Sequence, residues 1–359
     1  MKNAVIIIPA LNPDERLITY CKELVAVGFD RLLMVDDGSD EEHRKIFDEL
    51  EKMPQCVIFR HAINLGKGRA LKNALNCFMN MKDRDNYCGV ITADADGQHT
   101  VEDVLKLQDK MAGGCKKLIL GARDFDADNV PPKSKFGNKC TRTVFKMLHG
   151  VRLQDTQTGL RGIPTEIIPK YLDLFGERFE YETGMLITTA REKIGFEEVI
   201  INTVYENNNE GTHFNPIRDS FAIYKLLLGT FIKYIISSLL SFIIDIGLFK
   251  IFLLVFATVA DSARIIVATV MARIFSSLFN FSVNKNVVFD TGKTSGGESR
   301  VMLVKYYVLC VLQMACSAGA VALLFKVCHI PETVIKICVD TVLFLISYQI
   351  QRRLIFKEQ

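Results

Sequence analysis

Two aspartates separated by one residue give the clearest chemical signal in this sequence. Asp94, Ala95 and Asp96 follow an apolar run at residues 89–93 that is typical of a buried strand. Paired carboxylates at the point where a strand gives way to a loop are arranged to hold a hard divalent cation, with open positions for phosphate oxygens. An acidic surface turn is the alternative if the motif stands alone.

Other polar motifs follow the neighbouring apolar runs. They are Pro9-Ala10-Leu11-Asn12, Asp36-Asp37-Gly38-Ser39, Asn64-Leu65-Gly66-Lys67-Gly68 and Gly121-Ala122-Arg123. Asp36 or Asp37 is a candidate to bond a nucleoside, and Lys67 is placed to lie near phosphate. Gly66 and Gly68 allow the backbone to approach a ligand closely. Each motif alone is ordinary turn chemistry, but their joint placement favours a nucleotide site.

The elements that must position these motifs alternate along the first half of the chain. Strands are predicted at 5–8, 32–35, 57–59, 90–92 and 118–120, with helices at 14–27, 41–52, 66–81 and 101–112. This alternation predicts an α/β domain with a mostly parallel sheet covered on both faces. Ligands of such sheets bind beyond the carboxyl ends of the strands, where the motifs lie. Met1 leads directly into the first strand, so no signal peptide is predicted.

The composition changes near residue 230, where four long apolar segments begin. We predict membrane spans at about 231–256, 265–281, 303–325 and 333–350, each long enough for a hydrocarbon core of about 30 Å. The predicted domains are 1–213, a linker at 214–230 and a membrane domain at 231–359. Apolar residues recur at helical spacing in the linker, which favours an amphipathic helix in the bilayer interface. A helix packed on the soluble domain is the alternative.

Loop charges predict the orientation in the membrane. Four spans place both termini on one side, and the basic residues of that side outnumber those of the other; they are Lys285, Lys293, Arg300, Arg352, Arg353 and Lys357, against Arg264 and Lys326. The positive-inside rule then predicts a multi-pass protein of the cell membrane with its first domain and both termini in the cytoplasm. Ten cysteines without a C-x-x-C spacing fit that reducing compartment. The net charge of +3 says little about partners, and no nucleic-acid partner is predicted.

With these motifs, the chain resembles the family 2 glycosyltransferases of the GT-A fold. More narrowly, it resembles the polyprenyl-phosphate sugar transferases, the class of dolichyl-phosphate mannose synthase and bactoprenol glucosyltransferase. The resemblance rests on the strand-end motifs, with Asp94-Ala95-Asp96-Gly97-Gln98, and on Asp155-Thr156-Gln157-Thr158-Gly159-Leu160-Arg161. The last segment resembles the GtrA-like membrane family through Lys233-Tyr234, Asn280-Phe281, Asn284 and Val288-Phe289. An all-α four-helix transmembrane domain is therefore expected after the GT-A catalytic domain.

The resemblance also implies roles for single residues. Asp94 and Asp96, with Gln98 as a further oxygen ligand, would bind Mg²⁺ or Mn²⁺ across the diphosphate of a nucleotide sugar. Catalytic roles are implied for Asp96, Arg123, Asp155 and Arg161. Substrate-binding roles are implied for Pro9, Leu11, Asp36, Asp37, Gly66, Lys67, Asp94, Ala95, Arg123 and His213. Eukaryotic mannose synthases have a glutamate where this chain has Pro13 and a lysine where it has His213, so a UDP-sugar is favoured over GDP-mannose.

The expected acceptor is a polyprenyl phosphate. Its phosphate is anionic near neutral pH, so its oxygen attacks without a strong general base. Cations are needed instead to hold it, and the candidates are Arg123, Lys133, Lys135, Arg142 and Arg161. Asp155 is a candidate to orient one of these arginines or to contact the acceptor. Glu180 and Glu182 either contact the donor sugar or favour a helix N-terminus through its dipole.

Charges inside the predicted spans are the remaining signal. Asp245, Lys250, Arg273 and Asp340 lie at membrane depth, where ionisable groups usually pair, and Asp245 with Arg273 is the preferred pair. They indicate either a polar path for a lipid-linked sugar, in agreement with the flippase role proposed for the GtrA-like family, or an ion pair that locks the bundle or an oligomer interface. A homo-oligomer therefore stays open as a partner.

Three functions are compatible with these observations. The leading one is metal-dependent, inverting transfer of a hexose from a UDP- or GDP-sugar to polyprenyl phosphate at the cytoplasmic membrane face. The second is transfer to another lipid, such as a diacylglycerol. The third is a lipid-linked-sugar flippase whose first domain only binds nucleotide, although the full set of donor-side motifs argues against it.

Overall fold

The computed structural model describes residues 2–125, 132–202, 218–258, 261–292, 294–328 and 331–356. The chain divides into two compact units, Met1–Leu227 and Leu228–Gln359. Strands and helices alternate in the first unit, and the second contains long apolar helices.

Within the described residues, seven strands form one sheet in the first unit. They are β1 (Ala4–Ala10), β2 (Leu32–Asp36), β3 (Cys56–Arg60), β4 (Gly89–Thr92), β5 (Leu118–Arg123), β6 (Arg161–Pro164) and β7 (Phe196–Ile201). Their order across the sheet is β3-β2-β1-β4-β6-β5-β7, and β6 runs antiparallel to both of its neighbours. The other pairs are parallel, which confirms the predicted mostly parallel α/β fold.

Helices cover both faces of this sheet. They are α1 (Arg16–Ala26), α2 (Glu41–Leu50), α3 (Lys67–Met79), α4 (Val101–Ala112), α5 (Pro132–His149) and α6 (Glu180–Arg191). The central strand β1 is buried along its whole length, because alternate side chains enter two separate cores. Val5 and Ile7 pack in the core that includes α3, whereas Ile6 and Ile8 pack in the core that includes α1.

Two strands and one helix were not predicted from the sequence. Strand β6 has only four residues and includes an arginine and a proline, and β7 includes Glu197 and Glu198. Strand β6 has neither an apolar run nor strict alternation, and in β7 the two glutamates leave an apolar run of only three residues, 199–201. Helix α5 is rich in lysine, serine and threonine and follows residues outside the described part. All three elements nonetheless lie beside the candidate acceptor residues.

The second unit contains most of α7 (Arg218–Val255), with α8 (Asp261–Val283), α9 (Gly296–Cys328) and α10 (Glu332–Ile350). Single π-helical turns, Asn284–Val288 and Gln351–Ile355, extend α8 and α10. Four helices of the described residues are long and apolar enough to cross a membrane, as predicted.

Helix α7 differs from the predicted division into a linker and a first span, because it continues through residue 230 without a break. Its early residues Ile223 and Leu227 are buried in the core of the first unit, whereas Phe221 is 70% exposed. One face of the predicted amphipathic segment therefore packs in the core of the first unit. The interfacial placement of its other face stays a prediction.

The predicted ion pair between Asp245 and Arg273 is confirmed. Arg273 Nη2 lies 3.2 Å from Asp245 Oδ2, and Ser276 Oγ donates to Asp245 Oδ1 at 2.8 Å. Asp340 pairs instead with Lys336, one turn earlier on α10, at 2.8 Å. Asp245, Arg273 and Asp340 thus have ionic partners within the same unit.

Candidate active site

The loop after β4 places Asp94 against the segment that precedes β6. Thr92 Oγ1 donates to the carbonyl of Gly159 at 2.8 Å. A Cβ on Gly159 would lie 2.3 Å from Asp94 Oδ2, so only glycine permits this approach. The antiparallel pairing of β4 with β6 thereby brings together two motifs that are far apart in the sequence.

Both oxygens of Asp94 have cationic or imidazole partners. Lys67 Nζ lies 2.7 Å from Asp94 Oδ1 and 3.1 Å from Glu182 Oε2, and His99 Nε2 lies 3.3 Å from Asp94 Oδ2. Burial by itself would raise the pKa of Asp94, but attraction to Lys67 and His99 outweighs it and holds the pKa far below its usual range. Asp94 is therefore a carboxylate in a strongly polar setting.

Asp96 stands in the opposite electrostatic situation. Burial and the negative charge of Asp94 raise its pKa, while the backbone N–H of Gln98 donates to its Oδ1 at 3.1 Å. Two carboxylates that repel one another across a partly buried loop are stabilised by a cation between them. Within the described ranges, no group of three His, Cys, Asp or Glu residues forms a metal cluster.

The donor set nevertheless fits a hard divalent cation. Asp94, Asp96 and the side-chain oxygen of Gln98 are oxygen ligands of the kind that Mg²⁺ and Mn²⁺ prefer. Mg²⁺ sites commonly use one or two carboxylates and complete the shell with water and substrate phosphates. Two carboxylates are therefore sufficient for a cation that is shared with a diphosphate.

Two glycines position Lys67 at the start of α3. Gly66 has a φ of +100°, and a Cβ there would lie 2.5 Å from the carbonyl oxygen of Glu177. A Cβ on Gly68 would lie 2.6 Å from that of Tyr181. These close approaches bring α3 against the N-terminus of α6, which carries Glu182. The Asn64–Gly68 motif thus serves packing between two helices as well as any ligand.

We expect Gly68→Ala to destabilise the first unit by about 1–3 kcal/mol, because the new methyl overlaps Tyr181 and pushes α3 away from α6. The Lys67–Glu182 pair should separate as a result. The measurement is thermal unfolding of the detergent-purified chain. Gly113→Ala is the control, since its Cβ would meet only backbone oxygens at 3.3 Å or more. Equal melting temperatures for the two variants would contradict this packing role.

The paired aspartates after β2 have different environments. Asp37 accepts hydrogen bonds from the backbone N–H groups of Leu65 and Gly66, at 2.9 and 2.8 Å, and its Oδ1 lies 2.7 Å from His61 Nδ1. Asp37 therefore holds the loop that leads to Lys67. Asp36 Oδ1 accepts from Ser39 N at 2.8 Å. Its Oδ2 is buried and has no hydrogen-bond partner in the described part of the chain, although Arg60 Nε lies 3.9 Å away, and Asp36 therefore stays the candidate for the nucleoside.

The ends of β1 and β2 are joined beside this pair. Pro9 and Ala10 pair in register with Val35 and Asp36, and Leu11 follows directly. Asn12 N donates to Ser39 Oγ at 2.9 Å, and Asp40 N donates to Asn12 Oδ1 at 3.0 Å. The predicted residues of a nucleoside pocket therefore share one sheet edge. His213 lies outside the described residues, as does the side chain of Lys133.

Arg123 and Asp155 form a bidentate ion pair at the end of β5. Arg123 Nε lies 2.6 Å from Asp155 Oδ2, and Nη2 lies 3.2 Å from Oδ1. Asp155 is fully buried and also accepts from Gln157 N at 2.9 Å. The carboxylate thus fixes the plane of the guanidinium, which also lies over the ring of Phe125.

Arg161, by contrast, contacts the protein interior. It is 1% exposed, and it donates from Nε to the carbonyl of Thr158 at 3.0 Å and from Nη1 to that of Glu182 at 2.7 Å. These bonds place it as a positioning residue between β6 and α6. Its Nη2 is buried and has no hydrogen-bond partner among the described residues, so a direct contact with an acceptor stays a prediction.

We expect Arg161→Met to destabilise the chain by about 1–3 kcal/mol, because the carbonyls of Thr158 and Glu182 each lose a buried hydrogen bond from a charged group. Thermal unfolding measures the loss. Arg191→Met, on the exposed end of α6, is the control and should change the melting temperature little. An unchanged melting temperature for Arg161→Met would assign this arginine to the ligand instead.

Helix α5 supports the loop that carries Asp155. Asn138 Nδ2 donates to the carbonyl of Gln154 at 2.9 Å, and Arg142 Nε donates to that of Leu153 at 2.9 Å. The outward face of α5 is basic and apolar, with Lys135, Phe136, Lys139, Lys146 and Met147 exposed. Arg142 is thus a support of the loop, whereas Lys135 is on the surface.

Sequence comparisons agree with this arrangement. Residues 5–167 match the glycosyl transferase family 2, and residues 233–356 match the transmembrane domain of the GtrA/DPMS type. The chain joins a family 2 glycosyltransferase domain to a GtrA/DPMS transmembrane domain. It is a glycosyltransferase with a GT-A-like fold, as the sequence predicted.

Two curated relatives match the glycosyltransferase domain. The UDP-N-acetylglucosamine–dolichyl-phosphate N-acetylglucosaminyltransferase of Methanococcus voltae is 26% identical, over 62% of this chain and 94% of that protein. The polyprenol monophosphomannose synthase of Mycolicibacterium smegmatis is 27% identical, over 47% of this chain and 64% of that one. Among solved structures, S. aureus TarS matches with a TM-score of 0.40 at 13% identity, over 67% of this chain and 43% of TarS.

Within the candidate site, sequence reasoning assigned no role to His61 and placed His99 only as a loop residue beside the metal. His99 contacts Asp94, and His61 contacts both Asp37 and the side chain of Asn73. For Glu182 the sequence left two roles open, contact with the donor sugar or stabilisation of a helix N-terminus. In the structure Glu182 pairs with Lys67, which also pairs with Asp94. His61 gives no signal of its own in a single sequence, because its partners come from the loop after β2 and from α3.

Proposed function

We propose that the chain transfers a hexose from a nucleotide sugar to polyprenyl phosphate at the cytoplasmic membrane face. The observation that carries this proposal is the Arg123–Asp155 pair, which presents an oriented guanidinium at the same sheet edge as the Asp94 and Asp96 carboxylates. An oriented guanidinium suits a phosphate monoester, and the exposed basic and apolar face of α5 suits a membrane surface. The names of the two relatives support the same acceptor class.

In this proposal the reaction is a single inverting displacement. An oxygen of the polyprenyl phosphate forms a bond to the anomeric carbon while the bond from that carbon to the nucleotide diphosphate breaks. The diphosphate leaves with the electron pair, and no proton has to be removed from the attacking oxygen. A divalent cation held by Asp94, Asp96 and Gln98 would stabilise the negative charge that develops on the leaving group.

The other residues of the site bind and orient the substrates. Asp36 is proposed to hold the nucleoside, and the loop shaped by Asp37 brings Lys67 towards the diphosphate. Arg123 is proposed to hold the acceptor phosphate, and Asp155 keeps its guanidinium from rotating. The pairing with Asp155 also reduces the net positive charge near the nucleophilic oxygen, so that the phosphate is bound without losing its reactivity.

The test is transfer by the full chain in detergent. UDP-glucose, UDP-N-acetylglucosamine and GDP-mannose, each radiolabelled, are incubated with short-chain polyprenyl phosphate or with diacylglycerol, in Mn²⁺ or in chelator. A labelled polyprenyl-phosphate monosaccharide that forms only with Mn²⁺ is the expected product. A labelled diacylglycerol would favour the second acceptor class, and no product from any donor would favour transport.

Sidedness in the membrane is a separate part of the proposal. We propose that the first unit and both termini are cytoplasmic, because basic residues concentrate in the loop after α8 and in the tail. Exposed cysteines introduced at Lys82 and at Lys326, one at a time in a variant whose ten native cysteines are replaced by serine, report it in intact cells. A membrane-impermeant thiol reagent should label the second position and not the first, and the reverse pattern would overturn the orientation.

A further inference from the structure

A lysine is placed where it competes for the candidate metal ligands. Lys67 Nζ lies between Asp94 Oδ1 and Glu182 Oε2, at 2.7 and 3.1 Å. Its side chain is 18% exposed, and the other oxygen of Asp94 faces His99. A cation that binds Asp94 through Oδ1 must therefore share that oxygen with an ammonium or displace it.

The surroundings of Lys67 allow such a displacement without loss of all its partners. Glu182 is 7% exposed, and its Oε1 has no hydrogen-bond partner among the described residues. Phe179 offers its ring at 5.7 Å from Lys67 Nζ. A lysine ammonium is a compact charge on a flexible stem, so it can turn from Asp94 towards Glu182 or towards a bound phosphate.

We propose that Lys67 is an internal counterion of Asp94 that makes metal binding depend on the nucleotide. This inference rests on the metal site of the proposed function. Without a nucleotide, the divalent cation and the Lys67 ammonium repel each other at the same carboxylate. The negative charges of a nucleotide diphosphate attract both, so the two cations are accommodated together.

The experiment measures Mn²⁺ binding by electron paramagnetic resonance, with no turnover. The full chain in detergent is titrated alone and with UDP or GDP, and compared with Lys67→Met and Lys67→Arg. For Lys67→Met we expect about tenfold tighter Mn²⁺ binding without nucleotide, and a smaller gain when nucleotide is added. Lys67→Arg keeps the charge and should bind Mn²⁺ like the unmodified chain.

Lys72→Met is the matched control on the same helix, because Lys72 pairs with Glu177. It should leave Mn²⁺ binding unchanged. If Lys67→Met binds Mn²⁺ no more tightly than the unmodified chain, the counterion inference is wrong while the metal site stands. If no variant binds Mn²⁺ with or without nucleotide, the proposed metal site is wrong and the inference falls with it.

A second inference comes from the membrane unit and is independent of the first. Helices α7 and α9 both carry a Lys-Tyr pair, Lys233-Tyr234 and Lys305-Tyr306. Helices α8 and α10 both continue into a π-helical turn that starts with an amide residue and is followed by phenylalanine. These turns run from Asn284 to Phe289 and from Gln351 to Phe356, so the two correspond residue for residue.

The contacts of the two helix pairs repeat as well. Tyr306 donates to Asn280, and Tyr234 donates to Ser347, which is the equivalent position in α10. Asn284 donates to Asn280 one turn earlier, as Gln351 does to Ser347. Equivalent ring contacts follow: Phe281 with Tyr306 and Phe356, and Tyr348 with Tyr234 and Phe289.

Two contacts join equivalent residues directly. Asn284 Nδ2 donates to Gln351 Oε1 at 3.0 Å. The rings of Phe289 and Phe356 stack with centroids 5.2 Å apart at 14°. Contacts between equivalent positions occur on a two-fold axis, where a surface meets a copy of itself.

We infer that the membrane unit is a duplicated helix hairpin, whose two copies meet in an isologous interface centred on Asn284 and Gln351. The pairs α7–α8 and α9–α10 are the two copies. The deeper polar contacts follow the same correspondence: Asp245 on α7 pairs with Arg273 on α8, and the equivalent residues, Ser317 on α9 and Asp340 on α10, are hydrogen-bonded. The partner that this hairpin face recognises is therefore another copy of the same hairpin.

Exchange of the two amide residues at the proposed two-fold axis, Asn284 and Gln351, tests this inference in the full chain. Asn284→Gln places two long amides at the axis and Gln351→Asn two short ones, so each should lower the melting temperature by about 5 °C. The double exchange restores one long and one short amide. If the copies are equivalent, it should melt within about 2 °C of the unmodified chain.

The control is the exchange Ser237→Asn with Asn284→Ser. These side chains are also hydrogen-bonded, at 2.8 Å, but they do not occupy equivalent positions. Their double exchange should not recover stability. If the double exchange of Asn284 and Gln351 lowers the melting temperature by as much as the two single variants together, the two hairpins are not equivalent and the inference is overturned.

Discussion

Asp96→Asn should lower kcat/KM for sugar transfer by about 1,000-fold or more, because it removes a charged oxygen ligand at the leaving diphosphate. The asparagine has the same shape and can still accept the hydrogen bond that Gln98 N donates. The fold should therefore persist. Initial rates of the detergent-purified chain, measured over a range of Mn²⁺ concentrations, report the loss.

Asp85→Asn is the matched control for this variant, because Asp85 is a highly exposed carboxylate of the same unit that pairs with Arg84. Its rate should equal that of the unmodified chain. Full activity of Asp96→Asn in the presence of a chelator would show that Asp96 is no metal ligand. The raised pKa of Asp96, which burial and the charge of Asp94 cause, would then carry no information about metal binding.

Asp155→Asn should raise the KM for polyprenyl phosphate by about 100-fold while leaving nucleotide binding unchanged, because Arg123 loses its bidentate partner. The guanidinium then rotates, and a charged hydrogen bond inside the protein is lost. Steady-state rates against acceptor concentration measure the first effect, and calorimetric titration with UDP or GDP measures the second.

Asp173→Asn, an exposed change in the same unit, controls for the loss of a negative charge. Because Asp155 is fully buried, its variant should also unfold at a lower temperature, and nucleotide affinity separates that effect from a general collapse of the site. A loss of nucleotide affinity that accompanied the rise in acceptor KM would contradict a role confined to the acceptor side.

Much of the fold could be predicted from local patterns. The runs that became β1 to β5 are apolar and short, and α1 to α4 follow them with helical spacing. The four spans were also evident, because a helix must be long and apolar to cross a membrane. Strands β6 and β7 were missed, since β6 has only four residues and β7 includes two glutamates, and their neighbours in the sheet make them strands.

The candidate site could be predicted only as a set of residue types at one sheet edge. Asp94 and Asp96 are recognisable because both lie in one short motif after a strand. The role of Arg161 could not be judged in the same way, since an arginine in a motif looks the same whether its guanidinium faces a ligand or two buried carbonyls. Burial decides between these roles, and burial depends on elements far away in the sequence.

The sequence by itself determined that a strand-end pair of carboxylates lies beside nucleotide-type loops and is followed by four membrane spans. These features depend on neighbouring residues and on periodicity, which a linear chain records directly. Only the tertiary structure decided that Lys67 bridges Asp94 and Glu182, that Asp155 holds Arg123, and that Asn284 meets Gln351. Each of these contacts joins distant segments, and strand order and helix packing, rather than local spacing, determine which distant side chains come within bonding distance.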